Sequence, residues 1–138
     1  MKIHIIGCSG SGKTYLANAL SKKYNISHFD LDDIQWDNNA KEYGKKRTLD
    51  ERNALLQEIL YNNDEWIIEG VYYAWVQQSF DEADKIYVLD MPSYLYTTLQ
   101  LFHKKNIVQD FLMYNEFEKN ITKESDPVRQ NHYTTKKH

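Results

Sequence analysis

The sequence predicts an α/β fold of three layers, in which helices cover both faces of a parallel sheet. Short apolar runs alternate with segments of helical periodicity, as they do in consecutive βαβ units. A glycine-rich stretch follows the first apolar run, and acidic residues follow the later ones. The 138 residues suffice for one hydrophobic core and are too few for two, so we expect a single domain over residues 1–138.

The apolar runs predict four strands. They are expected at Lys2–Ile6, Ser27–Leu31, Trp66–Glu69 and Lys85–Asp90. The last of these, "KIYVLD", combines β-branched and aromatic side chains and is the most strand-like run in the chain. No convincing fifth strand is found in the sequence, so the predicted sheet lacks one.

Helical periodicity predicts the first two helices. Residues 13–24 carry large side chains four apart, which form one face of an amphipathic helix: Leu16, Leu20 and Tyr24. The pattern T-x-x-E at Thr48 and Glu51 is a capping box, and it predicts the start of a second helix. Its expected buried stripe comprises Leu55, Leu56, Ile59 and Leu60.

The second half of the chain predicts shorter helical segments. Ser79 and Glu82 could cap one helical turn before the fourth strand. Pro92 starts a further helix whose apolar stripe includes Leu95, Leu99 and Phe102. We expect residues 93–125 to form a helical lid region and residues 126–138 to form a loose tail.

The stretch "IIGCSGSGKT" contains the pattern G-x-x-x-x-G-K-T, which is the P-loop of nucleotide-binding proteins. Glycines let successive backbone N–H groups converge on one anion, and the following helix adds the positive end of its dipole. Lys13 can reach the β- and γ-phosphates of ATP or GTP, and the Thr14 hydroxyl can bind Mg²⁺. The predicted nucleotide-binding residues are Gly7, Cys8, Ser9, Gly10, Ser11, Gly12, Lys13 and Thr14.

Three aspartates, Asp30, Asp32 and Asp33, lie at the carboxyl end of the second predicted strand, where the ligand crevice of a parallel sheet is expected. A carboxylate at this position can deprotonate an acceptor hydroxyl or hold a metal through water. In strand alternation Asp30 and Asp32 share one face, whereas Asp33 points elsewhere. We therefore predict Asp30 and Asp32, together with Lys13, as catalytic residues. Capping of a helix by one of the three is the structural alternative.

Two acidic residues compete for the second Mg²⁺ position beside Thr14. Glu69 closes the third strand and is followed by Gly70, and Asp90 ends the fourth. We favour Glu69, because Asp90 precedes Met91-Pro92 and could simply begin the next helix. Thr14 and Glu69 are thus the predicted metal-binding pair.

Other side chains have both a functional and a structural interpretation. Arg47 could contact a second substrate or be a surface charge. Lys104 and Lys105 could face the transferred phosphate or favour a helix C-terminus. The aromatic group Tyr72, Tyr73 and Trp75 could stack on a base or line a substrate pocket, although ordinary packing explains it as well.

Composition limits partners and compartment. The net charge of −3 and the pI of about 5.9 argue against binding to the phosphate backbone of DNA. One cysteine permits no internal disulfide, and no window approaches the length of a membrane span. We expect a cytoplasmic protein whose partners are a nucleotide and a small-molecule acceptor, and the oligomeric state stays open.

These motifs together resemble a known family. The stretches "MKIHIIGCSGSGKTYLANALSKKYNISHFDLDDIQW" and "WIIEGVYYAWVQQSFDEADKIYVLDMP" resemble the adenylate-kinase-like P-loop proteins known as DNA topology modulation (FlaR-related) proteins. The resemblance covers roughly the first two-thirds of the chain. It implies a nucleoside-monophosphate-kinase-like fold that binds ATP and Mg²⁺. By this resemblance Gly7–Thr14 is the phosphate loop, and Asp32 matches the family's aspartate after the second strand. Glu69-Gly70 matches the family's acidic-glycine pair, in which the acidic residue is usually Asp.

The chain departs from that family in its arginines. The family commonly continues the acidic-glycine pair with Asn-Tyr-Arg, where this chain has Val71-Tyr72-Tyr73. No arginine lies between Arg52 and Arg129, although related proteins carry several in the lid helix. Three hypotheses follow: an ATP-dependent phosphotransferase acting on a hydroxyl or phosphate acceptor, a nucleotide-binding module with little turnover, or a DNA-topology factor.

Overall fold

A computed structural model describes residues 1–90, 93–103 and 106–109, and it shows a five-stranded parallel sheet. The strands are β1 (Lys2–Gly7), β2 (His28–Asp30), β3 (Trp66–Gly70), β4 (Lys85–Leu89) and β5 (Asn106–Gln109). Their order in the sheet is β2-β3-β1-β4-β5, and every neighbouring pair is parallel. β1 is therefore central, with β3 and β4 on its two sides.

Five helices connect these strands within the described residues. They are α1 (Lys13–Tyr24), α2 (Asp32–Gln35), α3 (Leu49–Asn62), α4 (Gln77–Glu82) and α5 (Ser93–His103). The bounds of α1 agree with the sequence prediction. The predicted capping box of α3 is also confirmed, since the Glu51 amide donates to the Thr48 hydroxyl and the Thr48 amide donates to the Glu51 carboxylate.

Two hydrophobic clusters lie on opposite faces of the sheet, which confirms the three-layer arrangement. Ile3 and Ile5 of β1 pack in one cluster with Leu16 and Leu20 of α1. Ile6 points to the other face, since successive strand side chains alternate. That face is covered by buried side chains of α3, α4 and α5, among them Leu56, Leu60, Phe80 and Leu99.

The prediction that a fifth strand is missing was wrong. Asn106–Gln109 pairs in parallel with β4, with Lys85 opposite Asn106 and Val88 opposite Gln109. These four residues were also expected to belong to a helical lid region over residues 93–125, and they form a strand instead. Four residues are too few to show a strand periodicity in the sequence. Only their pairing with β4 identifies them as a strand. Lys104, Lys105 and the predicted tail lie outside the described residues.

Several local predictions also need correction. Ser79 does not begin a helical turn but lies inside α4, whose N-cap is Val76. Tyr24 and Phe102, predicted on buried stripes, are 39% and 77% exposed. Each lies near the C-terminal end of its helix, where the helical face runs beyond the sheet it covers.

Among the described residues, no helix is long and apolar enough to cross a membrane.

A histidine, His4, is enclosed in the middle of the central strand. Its side chain is fully buried and stacks on Phe80 at 4.1 Å between ring centroids. Nδ1 of His4 lies 2.8 Å from Oγ of Ser79, whose hydroxyl donates to the Val76 carbonyl. Nδ1 is therefore the donor. Burial, with the nearby His103 as the smaller cause, lowers the pKa of His4 from 6.5 to about 3.

This buried neutral histidine makes stability depend on pH. The unfolded chain takes up a proton near pH 6.5 while the folded chain does not, so acidification between pH 6.5 and 3 favours unfolding. We expect the His4 contribution to the free energy of unfolding to fall by about 1 kcal/mol between pH 7 and pH 5.5. Urea titrations of wild type and His4→Gln at both pH values measure this. Gln keeps an N–H donor for Ser79 and does not titrate, so equal losses in the two proteins would contradict the prediction.

Candidate functional site

The glycine-rich loop between β1 and α1 is shaped by close backbone contacts. A Cβ on Gly7 would lie 2.5 Å from the Leu89 carbonyl oxygen and 2.5 Å from Oγ of Ser11, so only glycine fits there. Gly12, the last residue before α1, has a φ of 96°, which residues with a side chain rarely adopt. These two glycines therefore permit the tight turn that brings the loop over the end of the sheet.

The N-terminus of α1 is suited to an anion. No side chain caps it, no acidic residue lies in its first turn, and Lys13 occupies that turn. The opposite holds for α3, where a capping box and two acidic residues, Asp50 and Glu51, satisfy the first amides. A lysine is unfavourable beside the positive end of a helix dipole. The arrangement is explained if a negatively charged group binds the free amides and the ammonium together.

Lys13 lies across the loop in the structure. Its Nζ donates to the Cys8 carbonyl oxygen at 3.0 Å, and the Ser11 amide donates to the same oxygen at 3.1 Å. Cys8 thus holds the loop through its backbone, while its thiol is free and the residue exposed. These two hydrogen bonds close the loop around the Cys8 carbonyl oxygen. A phosphate could replace this oxygen as the group that binds the Lys13 ammonium at the rim of the loop.

Thr14 and Glu69, the predicted metal pair, are in direct contact. The Thr14 hydroxyl donates to Oε1 of Glu69 at 2.9 Å, and this bond ties α1 to the end of β3. Glu69 is only 1% exposed. Burial by itself would raise the pKa of the Glu69 carboxyl, but the His28 and Thr14 side chains and the Lys13 charge together outweigh burial and lower it. Glu69 is therefore held ionised beside the Thr14 hydroxyl.

Sequence reasoning missed the part played by His28. Its Nε2 lies 3.5 Å from Oε1 of Glu69, and its Nδ1 lies 3.3 Å from Oδ1 of Asn18 in α1. His28 therefore bridges α1 and the Glu69 carboxylate. Strand alternation carried a signal for this, since His28 and Asp30 point to the same face of β2.

The structure gives the three aspartates separate environments. The Asp32 amide donates to Oδ1 of Asp30 at 2.8 Å, and this turn starts α2. The argument from strand alternation was wrong for Asp32, because β2 ends at Asp30 and Asp32 belongs to a helix. Asp30 lies opposite Glu69 in the sheet register. Burial, only partly offset by the Asp32 amide, and repulsion from nearby carboxylates raise the pKa of Asp30.

Asp32 is bound by a residue forty positions away. The Tyr72 hydroxyl donates to Oδ1 of Asp32 at 2.7 Å. The Tyr72 ring packs against Trp75, with centroids 5.5 Å apart. Arg52 of α3 lies over the Trp75 ring at 5.3 Å and donates to Oε1 of Gln35 at 3.0 Å. Two members of the aromatic group, Tyr72 and Trp75, therefore pack on each other beside Asp32, and a role in a substrate pocket stays a prediction.

Arg47 stabilises the end of α2 in the described part of the structure. Its NH1 donates to the carbonyl oxygens of Asp33, Ile34 and Trp36, at 2.6, 3.2 and 3.0 Å. These are carbonyls at and just after α2, so Arg47 closes the C-terminal end of that helix.

Asp90, the competitor of Glu69, lies on the other side of β1. It is exposed and has a φ of 47°, directly after β4. Thr14 bonds to Glu69, so the geometry favours Glu69 as the carboxylate that contacts Thr14.

Comparison with known proteins assigns the chain to a family. A family model described as an AAA domain (AAA_18) matches residues 3–100, which include the loop, Glu69 and the aspartates. The chain belongs to this AAA-domain family. It is 36% identical over 90 residues to the uncharacterized protein YqaC of Bacillus subtilis (strain 168), a match that covers 65% of this chain and 49% of that protein. The chain thus spans about half the length of this curated relative.

One solved kinase structure shares the fold of this AAA-domain chain, and two others align with it at lower scores. Shikimate kinase from Acinetobacter baumannii, in complex with shikimate, aligns with a TM-score of 0.50 at 18% identity, covering 75% of this chain and 63% of that one. Shikimate kinase from Aquifex aeolicus aligns over 91% of this chain and 83% of its own, at 18% identity and a TM-score of 0.47. A gluconokinase from Sinorhizobium meliloti gives 0.45 at 17% identity, over 76% and 66% of the two chains.

The fold is therefore that of the P-loop kinases, and this fold generally binds a nucleotide and Mg²⁺. The finer resemblance to the DNA topology modulation proteins stays a prediction.

The close contacts at Gly7 predict a sensitive position. A Gly7→Ala substitution would force the Leu89 backbone or the Ser11 hydroxyl to move, and we expect a loss of about 1–3 kcal/mol in the free energy of unfolding. Denaturant unfolding measures the loss. Ser9→Ala, at an exposed position of the same loop, is the matched control and should change stability little. Equal stability of Gly7→Ala and wild type would show that the loop is not confined as described.

Proposed function

We propose that this protein is an ATP- or GTP-dependent phosphotransferase that acts on a small-molecule acceptor. The observation that carries the proposal is the bond between Thr14 and the buried Glu69, which couples the uncapped, lysine-bearing start of α1 to a carboxylate held ionised. Asp30 ends β2 opposite Glu69, and Asp32 follows it at the start of α2. Donor and acceptor sites are thereby adjacent.

The residues present fit a nucleotide with Mg²⁺. The amides at the start of α1 and the Lys13 ammonium would hold the phosphates. Mg²⁺ is usually bound by one or two protein oxygens together with substrate phosphates, and Thr14 and Glu69 offer such a pair. No cluster of three or more metal-ligating side chains occurs in the part of the chain that the structure describes, which suits a metal that arrives with its nucleotide. Bound Mg²⁺ would neutralise charge on the phosphates during transfer.

Each protein group then has a defined task. Lys13 compensates negative charge on the phosphates at the rim of the loop. Asp32 is exposed and binds the acceptor, so that the accepting atom lies close to the terminal phosphate. Asp30, whose pKa is raised, is the neighbouring group that can take up a proton. Catalysis would come from positioning and charge compensation rather than from a covalent intermediate.

One observation favours the alternative of a nucleotide-binding module with little turnover. Arg47 is bound to three carbonyl oxygens, and Arg52 is bound to Gln35 and lies over Trp75. Arginines that neutralise transition-state charge can increase the rate of phosphoryl transfer by about 10³ or more. Equilibrium binding of ATP without any acceptor-dependent turnover would support this alternative.

Release of ADP tests the proposal. Wild type and Lys13→Ala are assayed by coupled ADP release with ATP, Mg²⁺ and a panel of acceptors: shikimate, glycerol, myo-inositol, D-ribose and the four ribonucleoside monophosphates. We expect at least one acceptor to raise ADP release in wild type, and the increase to be lost in Lys13→Ala, because the phosphates lose their cationic partner. No increase above the Lys13→Ala background with any acceptor would contradict the proposed activity.

Glu69→Gln tests the metal pair separately. Gln retains an oxygen that can accept the Thr14 hydroxyl but lacks the negative charge that binds Mg²⁺. In a thermal-shift titration we expect the extra stabilisation that Mg²⁺ adds to ATP binding to shrink, while stabilisation by ATP with EDTA persists. An unchanged Mg²⁺ increment would remove Glu69 from the proposed metal site.

A further inference from the structure

We propose that Tyr72 is a positioning residue that fixes Asp32 for an alcohol, so that the phosphoryl group goes to a hydroxyl rather than to a phosphate. The inference rests on the proposed phosphotransferase function and names the class of its acceptor. It adds Tyr72 to a site whose predicted catalytic residues were Lys13, Asp30 and Asp32.

The hydrogen bond from Tyr72 decides which atom of Asp32 is available. A phenol has one proton, and Tyr72 donates it to Oδ1 of Asp32 at 2.7 Å. The other oxygen, Oδ2, is not bound by Tyr72 and can only accept hydrogen bonds. Such an atom binds the O–H group of an alcohol, while a phosphate presents negatively charged oxygens to it and is repelled.

The Tyr72 hydroxyl remains a donor over the physiological pH range. Partial burial, together with the hydrogen bond to Asp32 and its negative charge, raises the pKa of Tyr72 well above its usual value. The phenol therefore stays protonated, and the direction of the hydrogen bond to Asp32 is fixed.

Tyr72 is itself held in place from α3. Its ring packs on Trp75, and Trp75 lies under the guanidinium of Arg52. Arg52 is bound in turn to Gln35 at the end of α2, the helix that begins with Asp32. These contacts connect α2, α3 and the segment after β3 in a ring that returns to α2, so Tyr72 and Asp32 keep their relative positions.

The neighbouring charges point to the same acceptor class. Oδ1 of Asp30 accepts the Asp32 amide, and Asp32 and Asp33 are exposed carboxylates of this turn. Arg47 and Arg52, the arginines of the described residues, both have partners within the protein. A phosphate acceptor would meet carboxylates here and would have to compete with the protein's own groups for either guanidinium.

In the reaction inferred here, the alcohol oxygen forms a bond to the γ-phosphorus of the nucleotide and the bond from that phosphorus to the β–γ bridging oxygen breaks. The products are a phosphate monoester and the nucleoside diphosphate. The hydroxyl proton passes from the alcohol that Asp32 binds to the neighbouring Asp30 carboxylate and then to solvent.

The experiment compares wild type, Tyr72→Phe and Tyr73→Phe. Tyr72→Phe keeps the ring against Trp75 and removes only the hydroxyl, so it tests the hydrogen bond to Asp32 by itself. Tyr73 is the matched control, because it is the adjacent tyrosine and is 53% exposed. Steady-state rates are measured with the alcohol of the acceptor panel that gives the fastest ADP release, ATP affinity is measured by calorimetry, and ³¹P NMR identifies the phosphorylated product.

We expect Tyr72→Phe to lower kcat for that alcohol about 10- to 100-fold, because a misplaced acceptor loses alignment with the phosphate. The Kd for ATP should stay within about twofold of wild type, Tyr73→Phe should behave as wild type, and the NMR signal should be that of a phosphate monoester. A kcat for Tyr72→Phe within about twofold of wild type would overturn the inference. So would a phosphoanhydride product from a monophosphate.

Failure of the inference and failure of the proposed function differ in outcome. If ADP release depends on an acceptor but the product is a phosphoanhydride, only the inference fails. The same holds if kcat does not change when the Tyr72 hydroxyl is removed. If no acceptor supports turnover while ATP still binds, the phosphotransferase function fails and the inference falls with it. Urea unfolding of Tyr72→Phe excludes a general loss of structure, since the retained ring should leave the midpoint close to that of wild type.

Discussion

The parallel pairing of β1 with both β3 and β4 is the constraint on which the site depends. Ile3, Ile5 and Ile6 of β1 are fully buried, so this strand cannot shift without exposing the core. A change of register by one residue would also turn every side chain to the opposite face. The observed register places Ile6 opposite Gly70, and it thereby brings Glu69 to the edge where the glycine-rich loop begins. The contact between Thr14 and Glu69 follows from this pairing.

Electrostatics at this edge divide the site into two parts. On the proposed nucleotide side, Lys13 and the uncapped start of α1 supply positive charge, and the ionised Glu69 is bound to Thr14. On the proposed acceptor side, Asp30 and Asp32 supply negative charge, and Arg47 is bound to backbone carbonyls. A site with cationic groups for phosphates and carboxylates for the other substrate suits transfer between chemically different partners.

Local patterns predicted the elements that local forces determine. The glycines, Lys13 and the four-residue periodicity of α1 act within about twenty residues, and α1 was predicted with its observed bounds. The α3 capping box was predicted for the same reason, because Thr48 and Glu51 satisfy each other's backbone amides. β5 escaped prediction because a run of four residues becomes a strand only through its partner β4. Strand alternation was extended to Asp32, beyond the predicted strand, because the end of β2 leaves no mark in the periodicity.

The sequence by itself determined the glycine-rich loop, the four strands up to β4 and the helices α1 and α3, and it predicted Glu69 rather than Asp90 as the metal-binding carboxylate. Only the tertiary structure decided the partners of those groups. His28 reaches Glu69, and Tyr72 reaches Asp32, across 41 and 40 residues of chain. The physical reason is that a hydrogen bond between distant residues depends on how strands and loops are packed, and neither spacing nor composition records that packing.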